Sequence, residues 1–384
     1  MPTIIKRDRF FWTIALQTLV VNFFLGGFGP SQPLLRADQG TSLTIAGLHG
    51  TAMGIASILS GMVIPYLSHR FGRANTGWIG LVIFSFGLLA LALVQPVQLT
   101  LLAALVAGFG CSTVINSFVV SLSSHYGDRA PVAVAQANGV ASVGYVLGTS
   151  TIGTIAQTAP HYWRMGLLLI LPLALYLYFF RRDKSAEVHI PSVDGPQSGK
   201  LSLAFWIAWI GFVATISTEF ATAFWAAALV RDRTNATAAI ATIAIIALGT
   251  GMALGRFFGS HVMRKLNPDN QLIAILALQL FSFIGLWLSH NLLISLIALL
   301  LNGIGMSMQF ALTSLRLINH SGGRPELAIG KSGLAAGIAI GGAPFLLGVL
   351  GDNFGISRAY LMVPVLIVIA MTIVKAIPAY RSQE

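Results

Sequence analysis

Of the twelve Asp and Glu residues in this 384-residue chain, Glu219 alone lies well inside a long apolar run, a few residues past its middle. An ionisable group at that depth in a hydrocarbon layer is costly unless it faces water or a partner, so it marks a functional position. A carboxyl in such a place can exchange a proton near neutral pH. The structural alternative is a hydrogen bond to a neighbouring helix. Thr215 and Thr222 stand at helical spacing on the same face. Trp225 does not, and either lines a cavity from the side or sits at a membrane interface. His49, about a third of the way into another run, is a candidate partner in proton handling, against the plainer reading of an interhelical hydrogen bond.

A second set is uncharged. Gln17, Asn22, Asn116, Asn302 and Gln309 fall in the first, fourth and tenth apolar runs. Asn302 and Gln309 are seven apart and share a helix face. Amides both donate and accept, which suits hydroxyl-rich or mixed polar solutes. Singly, each is as readily glue between helices; with Glu219 they predict a polar cavity. No Lys or Arg stands mid-run beside them, which argues for a neutral or cationic solute over phosphate or dicarboxylate. Enzyme chemistry would need a convergent set of groups that one acid and one distant His do not supply. The single cysteine, Cys111, sits in an apolar run, and no Cys/His cluster has metal-ligand spacing. No metal or cofactor is expected.

These residues need a membrane to position them. Hydrophobic residues make up 55% of the chain and charged residues 9%, with a mean hydropathy of +0.80. A soluble domain carries about 25% charged residues to keep its surface wet. Polar breaks delimit twelve runs, at 10–35, 42–67, 75–95, 98–124, 131–157, 162–180, 201–229, 236–260, 271–288, 292–315, 328–350 and 357–378. Each is near the ~20 residues a membrane helix needs. Backbone satisfaction in lipid demands helices, and the alternation of a transmembrane barrel is absent. The first run is too long for a signal peptide and reads as an uncleaved span.

Charge sets the expected topology. With the N-terminus inside, Lys6, Arg7, Arg9, Arg70, Arg73, Arg129, Arg181, Arg182, Lys184, Lys200, Arg264, Lys265, Arg316, Arg324, Lys331, Lys375 and Arg381 face the cytoplasm, 17 in all. Only Arg36, Arg164, Arg231, Arg233 and Arg358 face out. That bias predicts two cytoplasmic termini. The net charge of +11 is spread over short loops, as for contact with anionic headgroups, and forms no nucleic-acid-binding stripe.

The halves repeat at an offset near 195 residues. Gly108-Phe109-Gly110 answers to Gly303-Ile304-Gly305, and the glycines at 139, 144 and 148 answer to those at 333, 337 and 341. A duplication predicts two six-helix lobes, 1–180 and 201–384, joined by a polar cytoplasmic linker, 181–200. A channel would instead need a pore ring, usually from an oligomer. A two-lobed monomer is expected here.

The stretch Pro65-Tyr66-Leu67-Ser68-His69-Arg70-Phe71-Gly72-Arg73 resembles the loop signature of the major facilitator superfamily at Arg70, Gly72 and Arg73. It departs from that signature where Pro65 replaces Gly and His69 replaces Asp. Gly255-Arg256 is similar to the family's counterpart in span eight. The resemblance covers essentially the whole chain. It implies a fold of twelve helices in two lobes, a central cavity among spans one, four, seven and ten, and a cytoplasmic gate at His69, Arg70, Gly72, Arg73 and Arg256. Glu219, Phe224-Trp225, Gly251-Met252 and Gly342-Ala343-Pro344 resemble the bacterial sugar-permease-like branch, relatives of fucose permease. That implies proton-coupled uptake of a sugar-like solute across a bacterial inner membrane, with drug or metabolite efflux and uncoupled uniport as the alternatives.

Overall fold

The computed structural model describes residues 5–127, 130–179 and 199–379. Among them are twelve helical spans long and apolar enough to cross a membrane. In chain order they are Arg9–Phe28, Leu43–Ile64, Asn75–Leu93, Val97–Ser123, Val132–Thr158, Pro160–Phe179, Leu203–Thr234, Ala238–Gly259, Pro268–Leu288, Leu292–His320, Leu327–Phe354 and Ile356–Ala376; they are called spans one to twelve. An even number of crossings puts the start of span one and the end of span twelve on one face, called here the terminal face; the other is the distal face. The expected linker 181–200 lies outside the described residues except for its last two positions.

Short loops suffice because the helix starts are capped by side chains. Asp8, Ser42, Ser202, Thr237 and Asn267 each accept a hydrogen bond from the backbone N–H three residues on, which satisfies donors that no helical carbonyl can reach. Gly72, at φ 85°, turns the chain directly from span two towards span three, a backbone setting that favours glycine.

Four spans differ from a plain run. The first apolar run, expected to reach residue 35, stops at Phe28; Gly29-Pro30-Ser31 breaks it, and a separate short helix, Gln32–Gln39, follows. Pro30 has no N–H to continue the ladder. Span six passes through 3-10 turns at Pro160–Tyr162 and Leu167–Ile170. Span ten breaks between Met306 and Gln309, and span twelve between Ala359 and Met362.

The duplication is visible in the packing. Span one lies on span five as span seven lies on span eleven, and span four contacts spans two and three as span ten contacts spans eight and nine. The paired glycines explain the close approach. A Cβ on Gly110 would run into the Phe84 nitrogen of span three, and one on Gly305 would meet Ile275 and Gln279 of span nine. Gly108 and Gly303 do the same towards spans two and eight. In lipid, where no hydrophobic drive joins helices, such backbone contact is what packing rests on. Spans two and eleven, and spans five and eight, join the two lobes.

The other repeated glycines do not share partners. Gly144 and Gly148 press on Leu19 and Phe23 of span one, within a lobe, whereas Gly337 and Gly341 meet Ile58 and Gly54 of span two, across lobes. Small residues permit contact without dictating which helix supplies it.

Candidate functional site

Near the middle of the bundle a cavity opens between the lobes, roughly 600 Å³ with its mouth included. Its polar lining is Asn22 of span one, Ser142 and Tyr145 of span five, Glu219 of span seven and Arg256 of span eight. Leu25, Phe220, Phe224 and Met252 supply apolar wall. Both lobes therefore contribute, and the lining spans are one, five, seven and eight rather than the expected one, four, seven and ten.

Glu219 sits at the middle of its helix, which runs Leu203–Thr234. Arg256 belongs to the same cavity, although its place near the terminal-face end of span eight suggests an anchor or latch. Its Nη1 donates to Ser142 Oγ at 2.9 Å, a hydrogen bond between lobes. Glu219 and Arg256 lie within reach of each other's field. Among the described residues the ion pairs are His125–Asp8, Arg164–Asp38 and Arg316–Asp269, so these two charges face the cavity without closing on each other. The Tyr145 hydroxyl is buried with no hydrogen-bond partner among the described residues. Sequence reasoning misses Tyr145, although it is the only aromatic between Ala130 and Thr158; isolation in a span of small residues is the one signal the letters carry for it. Arg256 of span eight gives this cavity a cation that the sequence reading of spans one, four, seven and ten does not include.

The remaining amides and hydroxyls lie elsewhere. Gln309 Nε2 donates to Gln279 Oε1 at 2.6 Å and to Gly305 O at 3.0 Å, and Gln279 Nε2 donates to Thr218 Oγ1 at 3.1 Å. This is a buried polar chain across spans seven, nine and ten, and it enlists Gln279 and Thr218, which the sequence pattern does not single out. Asn302 is buried too, with Oδ1 unpartnered among the described residues. Gln17 is buried beside Gly77 of span three. Thr215 donates back to Gly211 O, while the buried Thr222 hydroxyl has no partner among the described residues. Trp225 is buried, and its indole N–H donates to Pro344 O at 2.8 Å, joining span seven to span eleven. Asn116 is exposed in span four.

His49 is outside the cavity and buried, with Nε2 3.0 Å from Thr100 Oγ1 and Nδ1 3.2 Å from Ala46 O. At the expected gate, Arg70 is exposed and donates to the Tyr66 hydroxyl at 2.8 Å. The side chains of His69 and Arg73 lie outside the described residues.

Spans five and eight touch along their lengths, from Gly153 against Ile243 to Gly139 against Phe257, but spans two and eleven are not equally close at both faces. On the distal side the Asp352 carboxylate of span eleven accepts from the Leu43 and Thr44 nitrogens at 2.8 and 2.7 Å, and Thr51 Oγ1 donates to Gly341 O at 2.9 Å. Nearer the terminal face, Gly61 of span two and Gly330 and Gly333 of span eleven border open space.

The sequence profile of the Major Facilitator Superfamily matches residues 14–324. The chain belongs to the major facilitator superfamily. As a member it is an integral membrane transporter. A bacterial homologue of the human lysosomal transporter Spinster, in an inward-facing and occupied conformation, superposes with a TM-score of 0.79 at 15% identity, covering 99% of this chain and 100% of that one. A mutant of the nucleoside transporter NupG does so with a TM-score of 0.75 at 11% identity, covering 96% and 100%. At such identities the likeness establishes the facilitator fold. No relative among curated proteins matches the sequence.

Proposed function

We propose that this facilitator is a proton-coupled secondary carrier in which Glu219 holds the proton and the two lobes rock about the central cavity. The observation that carries the reading is a carboxylate and a guanidinium facing one inter-lobe cavity without an ion pair. Charges held in a poorly solvated site are costly unless compensated. Protonating Glu219 removes one charge and leaves the positive charge of Arg256 uncompensated, so proton binding changes what the cavity prefers. Contact between spans two and eleven on the distal side, with open space beside their glycines near the terminal face, supports an inward-facing state. That orientation assumes cytoplasmic termini, as the loop charges favour. Lobes at 1–180 and 201–384, a monomer and a bacterial inner-membrane location belong to the same reading.

The test begins by finding a solute. A thermal-shift screen of the purified protein against sugars, polyols, amino acids, organic acids and cationic drugs identifies ligands that stabilise it. Uptake of that ligand into proteoliposomes is then measured with and without an imposed pH gradient. The expected result is gradient-driven accumulation in the wild type and none with Glu219→Gln. Equal gradient dependence in both would refute the coupling role. The wall formed by Phe220, Phe224, Leu25 and Met252 favours one other reading, efflux of an amphipathic solute, in which the ligand leaves as a proton enters.

A further inference from the structure

Among the described residues Arg256 makes one side-chain hydrogen bond, to Ser142. A guanidinium carries five N–H donors in a planar fork that matches a carboxylate or similar oxyanion. Arg256 lines the same cavity as Tyr145 and Glu219. Tyr145 is only 9% exposed, and its hydroxyl is a second donor with no partner among the described residues. A buried donor left unpaired is costly, so it points to a ligand or water that completes it. Ser142 does not complete it: its hydroxyl accepts from Arg256 and donates to Asn138 O, and no bond joins it to Tyr145.

From these residues we infer that the transported solute bears a single negative charge on an oxyanion group, which docks on Arg256 and the Tyr145 hydroxyl. Charge balance limits the class. With Glu219 protonated, Arg256 and a monoanion sum to zero, whereas a dianion leaves one uncompensated negative charge in the cavity. A polar carboxylic acid, such as a hydroxy acid or sugar acid, fits both the fork and the amide of Asn22. The same geometry links solute to proton. An anion that takes over Arg256 deprives Glu219 of its nearby positive charge, and the carboxylate then takes a proton; one anion and one proton cross together without net charge. The titratable groups that face Glu219 in this exchange are Arg256, from span eight of the same lobe, and Tyr145, from span five of the other lobe. This inference deepens the proton-coupled reading and rests on it for the linkage, though not for the anion site.

The test uses the full-length protein in detergent and matched probes on one carbon skeleton: gluconate, glucose and glucosamine, with benzoate, benzyl alcohol and benzylamine as a second set. Thermal shift is recorded at pH 6 and pH 8 for wild type, Arg256→Gln, Arg256→Lys, Tyr145→Phe and Glu219→Gln. The expected result is stabilisation by the anionic member of at least one set, larger at pH 6. It should weaken about ten- to a hundredfold in apparent affinity with Arg256→Gln, as loss of a charged hydrogen-bonding partner predicts. Arg256→Lys, which retains the charge, should recover part of it, and Tyr145→Phe should lose less. Retained gel-filtration and circular-dichroism profiles exclude misfolding, and Arg256→Lys and Tyr145→Phe keep the test decisive if Arg256→Gln does not fold. Stabilisation by only the neutral or cationic members, an anion effect that survives Arg256→Gln, or no anion effect in the wild type would each overturn the inference. An anion effect that needs Arg256 but is equal at both pH values and unchanged in Glu219→Gln keeps the anion site and overturns the coupling instead.

Discussion

Removing the Asp352 carboxylate should open the distal face. Asp352 reaches across from span eleven and accepts the Leu43 and Thr44 N–H groups at 2.8 and 2.7 Å. These are the first donors of the span-two helix, which no helical carbonyl can satisfy. Ser42 takes the third, from Ile45. When the lobes part distally, water replaces the carboxylate, so only the net value of the two bonds is lost. A net hydrogen bond contributes about 0.5–1.5 kcal/mol, more when charged, and favourable placement of an anion at a helix start adds about 0.3–1 kcal/mol. Asp352 is exposed, which argues for the lower end of each range. The sum is about 1–2 kcal/mol, a five- to thirtyfold change in the ratio of distal-open to distal-closed forms. Asp352→Ala should give the full change, and Asp352→Asn, which keeps one acceptor, a smaller one. Spin labels placed through Ala37→Cys and Asn353→Cys, both exposed positions, would read the distance between them in the two forms by pulsed electron resonance, with the buried Cys111 replaced. Distance populations unchanged by Asp352→Ala, or shifted towards the shorter distance, would refute the reasoning.

Three further outcomes follow from the packing and the termini. Gly110→Ala and Gly303→Ala should each lower thermal stability in detergent by about 1–3 kcal/mol through overpacking, because their Cβ atoms would meet backbone of a neighbouring helix. Gly333→Ala, which faces open space, should be neutral or stabilising by up to about 1 kcal/mol; equal losses at all three positions would contradict the assignment of contacts. His49→Gln should cost about 1 kcal/mol of stability and leave the pH profile of transport unchanged, whereas a shifted profile would place His49 on the proton path. Asp8 precedes span one; burial pulls its carboxyl up, but hydrogen bonds from Phe11 N, His125 and Tyr126 outweigh this and hold it below its ordinary value. Its stabilising contribution is therefore present above the unfolded value near 3.9 and fades as the pH falls through the lower folded one. Asp8→Asn should lower the melting midpoint at pH 5, and this difference should shrink as the pH falls below about 4; a difference already absent at pH 5 would assign the stabilisation to another group.

The elements of the fold are legible in the sequence because they follow from local chemistry. A run of apolar residues long enough to cross a bilayer must be a helix, since lipid leaves its backbone no other partner. Breaks such as Gly29-Pro30 are present in the same letters but concealed by continued hydrophobicity. The pairing of Gly108 and Gly110 with Gly303 and Gly305 predicts equivalent helix contacts, and those contacts are found. The glycines of spans five and eleven match equally well as letters and yet press on non-equivalent partners, because a missing side chain specifies only that something comes near.

The site divides along the same line. Glu219 stands out from its letters, since a lone acid in an apolar run has few uses. Trp225, Gln309 and Asn302 look like cavity residues in sequence, but a helix face becomes a cavity face only when the neighbouring helices are known. The structure ties Trp225 and Gln309 into contacts within one lobe, and brings Arg256 of the next span and Tyr145 and Ser142 of span five into one cavity with Glu219. Composition and short-range periodicity suffice for the membrane, the twelve helices and the one acid deep inside a span, and the match between glycine patterns near 195 residues apart suffices for the doubling, since all of these can be read from the letters alone. Which charge faces that acid is settled by three-dimensional packing, because contact between spans seven and eight across a cavity depends on how all the helices fit together, and no spacing along the chain encodes that.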